Sequence, residues 1–100
     1  MVALGADYRL SDIHSALGLS QLGRLEAGLR RREIIAARYG AAFAAMPGVL
    51  PAPTRPETRH AWHLYPLRFD TDRLLTLPLF PKMTDTDVAA VGKVIRWAGR

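Results

Sequence analysis

The chain has 100 residues, of which 49% are hydrophobic and 23% charged, and this predicts one compact domain at most. It holds no cysteine, which excludes disulfides, cysteine-ligated zinc, thiol catalysis and iron–sulfur clusters. A formal net charge of +5 favours anionic partners without indicating a fold. We expect a cytoplasmic protein without membrane contact, because no apolar run approaches roughly 18 residues and no secretory signal is visible. Self-association is also expected, because a chain this short buries only somewhat over roughly 60% of its unfolded surface and is marginally stable unless another subunit covers an apolar face.

The first long pattern predicts a helical segment over residues 1–46. Ser11 can accept a hydrogen bond from a free backbone N–H at a helix start, and Asp12 suits the positive end of the helix dipole. A Pro-Gly pair then ends the segment, and Gly23 and Gly28 are candidate break points. Apolar residues recur at three- and four-residue steps, which predicts one stripe on a helix or on two consecutive helices: Ile13, Ala16, Leu17, Leu22, Leu25, Leu29, Ala36, Tyr39, Phe43 and Met46.

Two strands are predicted within residues 60–80. They follow residues 47–59, a proline-rich stretch that we interpret as a surface connector. Alternation and aromatic enrichment indicate a strand over His60–Phe69, and a nearly continuous apolar run indicates another over Leu74–Phe80. Each run contains one proline, which favours a sheet edge or a bulge.

A C-terminal helix is predicted over residues 84–98. Thr84 and Asp87 have the spacing of a capping box, in which each residue bonds the backbone N–H of the other. The buried stripe of this helix is expected to consist of Val88, Val91, Ile95 and Ala98. The predicted fold class is therefore α+β, with a long N-terminal helical segment, two short strands and a C-terminal helix.

The histidines and paired carboxylates do not indicate a catalytic or metal site. His60 and His63 stand three residues apart, which in a strand puts them on opposite faces. Nothing near His14 forms a carboxylate or nucleophile partner for it. Turn and capping roles explain two pairs better than acid–base chemistry does: Asp70 with Asp72, and Asp85 with Asp87.

A run of three arginines, Arg30, Arg31 and Arg32, marks the middle of the first helical segment. Glu26 stands four residues before Arg30, the spacing of an ion pair on a helix. A solvated basic face is the favoured interpretation, because no aromatic residue is interleaved and no nucleic-acid motif appears. Nucleic-acid binding by this run together with Arg38 stays open as a weaker hypothesis.

Three blocks of sequence carry a family resemblance. Residues Gly5–Tyr39 read GADYRLSDIHSALGLSQLGRLEAGLRRREIIAARY, similar to the pattern G-x-N-Y-R-x-[ST]-D-I-x-x-A-L-G-x-x-Q-L followed by R-R-x-I-A-x-x-Y. HAWHLYPLRFD (His60–Asp70) and LTLPLFPKMTDTDV (Leu75–Val88) follow in order. Together they resemble the C-terminal part of the sugar aminotransferases of the DegT/DnrJ/StrS family. The amino-acid sequence of these blocks is most similar to the branch of the family that aminates UDP-linked 4-keto sugars on the route to pseudaminic acid.

The resemblance implies a fold-type-I homodimer with shared active sites. Such an enzyme holds pyridoxal phosphate as a Schiff base on a lysine and passes an amino group from an amino acid, usually glutamate, to a nucleotide-linked keto sugar. In the family that lysine lies upstream of the first block, and neither Lys82 nor Lys93 matches it. Near Asp72–Leu74 the family carries further helices and a strand. The resemblance therefore implies a C-terminal domain with an internal deletion.

The same resemblance implies a cofactor-binding site at Asp7, Tyr8 and Arg9. In the family, the Asn of N-Y-R reaches into the neighbouring subunit's active site and helps to hold the cofactor phosphate or the substrate. Asp7 stands at that position, and an ionised carboxylate cannot donate a hydrogen bond to a phosphate. Tyr8 and Arg9 match the pattern, and an arginine fork suits an anionic group. Their alternative role is structural, at the entry of the domain.

The leading hypothesis is a fragment of a pyridoxal-phosphate-dependent sugar aminotransferase that is inactive as a transaminase on its own. The alternative is a non-catalytic interaction module that pairs with itself or with a full-length paralogue. Its apolar helix face would consist of Leu22, Leu25, Leu29, Tyr39 and Phe43.

Overall fold

The computed structural model describes residues 9–71 and 73–98, which form two helices and a three-stranded antiparallel sheet. The predicted α+β class is confirmed, with three strands rather than two. In chain order the elements are α1 (Asp12–Phe43), β1 (Val49–Pro51), β2 (Tyr65–Phe69), β3 (Leu74–Leu77) and α2 (Asp85–Ala98).

The first helical segment is one unbroken helix of 32 residues. It begins where the Ser11 hydroxyl accepts a hydrogen bond from the backbone N–H of His14, at 3.4 Å. Neither Gly23 nor Gly28 breaks it, because glycine weakens a helix by only about 1 kcal/mol and keeps its backbone hydrogen bonds. Past its end, Gly48 turns the chain with a φ of +73°, a conformation that favours glycine.

Strand β1 lies inside residues 47–59, the stretch that we expected to be only a connector. Val49 pairs with Phe69 and Pro51 with Leu67, so three residues of this stretch form an edge strand. The strand is held by pairing with a segment about twenty residues away, which its own composition does not reveal. The expectation of a connector was therefore wrong for β1.

Strand β2 is shorter than predicted and lies in the centre of the sheet. It begins at Tyr65 because Trp62, within the predicted strand, has a φ of +49°, which an extended strand does not allow. Because of Pro66, we expected this strand to lie at a sheet edge or to contain a bulge. The edge position was wrong, since β2 has a neighbouring strand on each side. Strand β1 ends opposite Leu67, so at the level of Pro66 only β3 lies beside β2.

Helix α2 begins with the predicted capping box. The Thr84 N–H donates to Asp87 Oδ2 at 2.8 Å, and the Asp87 N–H donates to Thr84 Oγ1 at 3.2 Å. Hydrogen bonds from the Thr84 side chain and backbone lower the pKa of Asp87. Val88 and Ile95 are buried as predicted and Val91 is half-buried; the predicted burial of the Ala98 side chain lies outside the described part.

The core is built around the C-terminal third of α1. Ile35, Tyr39 and Phe43 are fully buried against the sheet and α2. The Tyr39 hydroxyl donates to the carbonyl of Pro78 at 3.0 Å, which joins α1 to the chain just after β3. The rest of α1 extends beyond this core, so the radius of gyration is 18.5 Å, against about 13 Å for a compact chain of this length.

Candidate functional site

Of the cofactor site that the resemblance implies, the structure describes Arg9 alone. Asp7 and Tyr8 lie outside the described residues. Arg9 is exposed and stands two residues before Ser11, where α1 begins. The expected roles of the three residues stay predictions.

The two lysines do not fit a covalent cofactor site. A Schiff-base lysine works in an enclosed site that favours its neutral amine and excludes water. Lys82 lies exposed in the loop before α2, and Lys93 lies exposed on α2. The described part of the chain therefore offers no site for the aldehyde of pyridoxal phosphate.

The proposed interaction face needs a correction. Tyr39 and Phe43 are fully buried in the chain's own core, and Leu29 is half-buried, so these three residues are not free to meet a partner. Only Leu22 and Leu25 of that face are exposed, at 62% and 47%. The apolar repeat continues along α1, but the sheet and α2 cover only its C-terminal end.

The exposed part of α1 is apolar on more than one side. Leu17 and Leu19 are more than half exposed, as is Leu22. At about 100° per residue, Leu17 and Leu22 lie roughly 140° apart around the helix axis. The expected single stripe therefore holds only at the C-terminal end. A helix that is apolar on several sides is typical of one buried within a larger assembly.

An ion-pair cluster joins α1 to the start of α2. Arg31 donates to Asp85 Oδ1 at 3.0 Å and also to the carbonyl of Met83. Arg38 pairs with the same carboxylate. Hydrogen bonds from Arg38 and Arg31 hold the pKa of Asp85 below its ordinary value. Asp85 thus serves neither a turn nor a carboxylate pair but binds two arginines of α1.

A second cluster ties the connector to the other side of α1. Arg59 donates to both carboxylate oxygens of Glu26 at 2.9 Å and to Glu33 at 2.7 Å. The predicted pair of Glu26 with Arg30 is confirmed at 3.0 Å. Hydrogen bonds from Arg59 and Arg30 lower the pKa of Glu26 from 4.5 to about 2. The middle of α1 is therefore held on two sides by polar contacts.

A groove of about 650 Å³ lies between the middle of α1 and the loop before α2, and we call it the α1 groove. A Cβ atom at Gly28 would lie 3.7 Å from Pro81 Cγ, so the loop rests close to the helix at this glycine. The polar and large apolar side chains that line the groove include Gln21, Arg24, Leu25, Arg31, Arg32, Phe80 and Lys82.

Three of the four cations that line the α1 groove face no acidic partner among the described residues, whereas the fourth, Arg31, binds Asp85. Arg24, Arg32 and Lys82 form no ion pair with any residue that the structure describes. The Nε atom of Arg32 is buried and bonds to no acceptor among these residues. The run of three arginines singled out Arg32 in the sequence. No sequence pattern predicted that Arg24 and Lys82 lie in the same groove as Arg32. The run is not one solvated face, because its three members have three different environments.

The histidines do not form a metal site. The His60 ring packs against Trp62 with ring centroids 4.4 Å apart and the ring planes tilted by 48°, and its Nδ1 atom accepts a hydrogen bond from the Trp62 N–H. His14 bonds to the Ser11 hydroxyl at 2.7 Å. Within residues 9–71 and 73–98 no three histidine or carboxylate side chains gather as metal ligands would. Neither helix in this part is long and apolar enough to cross a membrane.

Comparison with known proteins gives consistent similarities. The model of the DegT/DnrJ/EryC1/StrS aminotransferase family matches residues 1–74. Uncharacterized protein MJ1066 of Methanocaldococcus jannaschii is 36% identical over 74 residues, which are 74% of this chain and 19% of that protein. Spore coat polysaccharide biosynthesis protein SpsC of Bacillus subtilis is 46% identical over 66 residues, which are 66% of this chain and 17% of that protein.

The fold is similar to that of a solved aminotransferase, TlmJ from Streptoalloteichus hindustanus. The TM-score is 0.85 at 23% identity, over 98% of this chain and 38% of that chain. This likeness extends over both helices and all three strands. The chain spans less than a fifth of the length of the curated relatives that it matches.

Proposed function

Because the chain belongs to the DegT/DnrJ/EryC1/StrS aminotransferase family, we propose that it is part of a cytoplasmic enzyme that aminates a nucleotide-linked keto sugar, with glutamate as amino donor. The observation that carries this proposal is the family match over residues 1–74. The similarity to SpsC supports a place in polysaccharide biosynthesis. The family generally uses pyridoxal phosphate, which would supply the chemistry of amino transfer when bound.

We further propose that this chain is inactive without the remainder of such an enzyme. The exposure of Lys82 and Lys93 supports this, because neither has the surroundings of a Schiff-base lysine. An internal deletion near Asp72–Leu74 is consistent with the family match, which ends at residue 74. The active unit would be a homodimer, or a complex with a longer paralogue.

A chimeric protein tests the proposed enzyme. Residues 1–74 of this chain, which the family model matches, would replace the corresponding segment of SpsC in a Bacillus subtilis strain that lacks the native protein. We expect the chimera to restore spore coat polysaccharide, whereas SpsC without the segment does not. A correctly folded chimera that fails to restore it would contradict the proposal.

The same chimera tests the site at Asp7. We expect Asp7→Asn to raise the activity of the chimera, because an amide can donate to a phosphate that a carboxylate repels. Asp12→Asn is the matched control, since it removes a carboxylate five residues away in the first turn of α1. Equal effects of the two substitutions would argue against a direct role of position 7.

The isolated chain tests the proposed inactivity. With pyridoxal phosphate and borohydride, we expect mass spectrometry to find no adduct confined to Lys82 or Lys93. A specific adduct on one lysine, lost in its Lys→Gln variant, would show a cofactor site that the fold does not suggest.

The exposed leucines of α1 favour an interaction module as the second candidate function. Leu17, Leu22 and Leu25 offer apolar surface that no described residue covers. Light scattering on the purified chain should give the mass of a dimer, and a Leu17→Ser, Leu25→Ser variant should be a monomer. Leu74→Ser is the control, because Leu74 on β3 is, at 69%, even more exposed than Leu17 and Leu25.

A further inference from the structure

The orphaned Arg32 side chain is the starting point of the inference. A guanidinium group is always charged and carries five N–H donors, so a buried Nε atom without an acceptor is costly. The described residues provide no acceptor for it. The terminal nitrogens of Arg32 also bond to no described residue, but they stay accessible in the wall of an open groove, where an acceptor from outside the chain can reach them.

The cations around Arg32 are arranged to meet one ligand. Arg24 lies eight residues before Arg32, which at about 100° per residue places the two about 80° apart around the axis of α1, both in the lining of the groove. Lys82 faces them from the loop before α2. None of the three is neutralised by a described carboxylate, whereas Arg30, Arg31 and Arg38 are. The unpaired positive charge of this region is therefore concentrated in the α1 groove.

The remaining lining of the groove is apolar. Leu25 and Phe80 are 47% and 51% exposed beside the cations. Gly28 keeps the floor of the groove open, because any side chain there would project toward Pro81. A small inorganic anion would leave these apolar surfaces in water, whereas an organic group attached to the anion would cover them.

We propose that the α1 groove binds a small organic phosphate through non-covalent contacts alone, without a covalent bond to Lys82. Its phosphate oxygens accept hydrogen bonds from Arg24, Arg32 and Lys82, and its organic part packs on Leu25 and Phe80. Guanidinium forks match the geometry of phosphate oxygens, and the bound phosphate supplies acceptors for the accessible terminal N–H groups of Arg32. This inference uses none of the residues assigned by family resemblance and does not depend on the proposed amino transfer.

A nucleic acid is the less favoured ligand for this surface. Binding along a strand requires a track of cations that meets successive phosphates. Carboxylates pair with Arg31 at the groove and with Arg30 and Arg38 outside it. The free cations thus form a short cluster and not a track.

Calorimetric titration of the full chain with ADP and with pyrophosphate tests the proposal. We expect both to bind, and Arg24→Gln and Lys82→Gln each to weaken binding about tenfold, the value of one lost charge-assisted contact. Arg55→Gln and Lys93→Gln are matched controls, because these exposed cations lie outside the groove and should leave the affinities unchanged. Circular dichroism verifies that each variant is folded.

Two further variants separate the parts of the ligand. Phe80→Ala should weaken ADP binding and leave pyrophosphate binding unchanged, because only ADP carries an organic group. Gly28→Leu should weaken both by filling the groove. Equal losses in groove and control variants would show general charge attraction and overturn the proposal. No binding of either probe, or binding of single-stranded RNA alone, would also overturn it.

Discussion

Two isoleucines on α1 provide a direct test of where the core ends. Ile35 is fully buried, whereas Ile13, on the same helix, is 82% exposed. Ile35→Ala removes three buried carbon atoms, which at about 0.8 kcal/mol per buried CH2 costs about 2.4 kcal/mol. The cavity left behind raises the expected loss to about 3–4 kcal/mol. Ile13→Ala should change the free energy of unfolding by less than about 0.5 kcal/mol.

The assay is urea unfolding followed by circular dichroism at low micromolar concentration. Both substitutions replace isoleucine with a better helix former, so the small gain in helix propensity cancels in the comparison. A loss of about 3–4 kcal/mol is a large part of the roughly 5–15 kcal/mol that stabilises a domain. Equal destabilisation by the two variants, or a loss below about 1 kcal/mol for Ile35→Ala, would refute the placement of the core.

Three other predictions concern caps, turns and pH. Thr84→Ala should lower the free energy of unfolding by about 1 kcal/mol through loss of the capping box, and Thr86→Ala, within the helix, should not. Gly48→Ala should cost about 1–2 kcal/mol in the same assay because of its positive φ, whereas Gly23→Ala should stabilise the chain. The Glu26 carboxylate has a lowered pKa, so its contribution is present above pH 4.5 and is lost as the pH falls toward about 2. Glu26→Gln should remove that part of the acid dependence in a thermal unfolding series.

Local signals predicted both helices because their ends are encoded nearby. Ser11 caps α1, and Thr84 with Asp87 caps α2, within three residues of the backbone groups that they bond. Periodicity did not reveal where burial along α1 stops. Leu22 and Tyr39 belong to the same apolar repeat, but only Tyr39 meets the sheet. Coverage by a distant element cannot be read from the repeat itself.

The candidate sites show a similar division. A local sequence motif identified Asp7, Tyr8 and Arg9 as candidate site residues. Their role as a cofactor-binding site is inferred from the family resemblance alone. The α1 groove was not predicted, because Lys82 and Arg32 come together only when the loop before α2 folds back on α1. Strand β1 was missed for the same reason, since its partner β2 is formed by residues that follow a long connector.

The projecting end of α1 has a consequence for how the chain would bind. A single helix in water is barely stable over fewer than about 12–15 residues unless other groups pack against it. Amide hydrogen exchange should therefore be fastest near Ser11 and slow progressively toward Ile35. A partner that covers the exposed leucines would also complete this helix, so part of its interaction free energy is spent on ordering the backbone. Association and local folding at this end of the molecule are thus one coupled event.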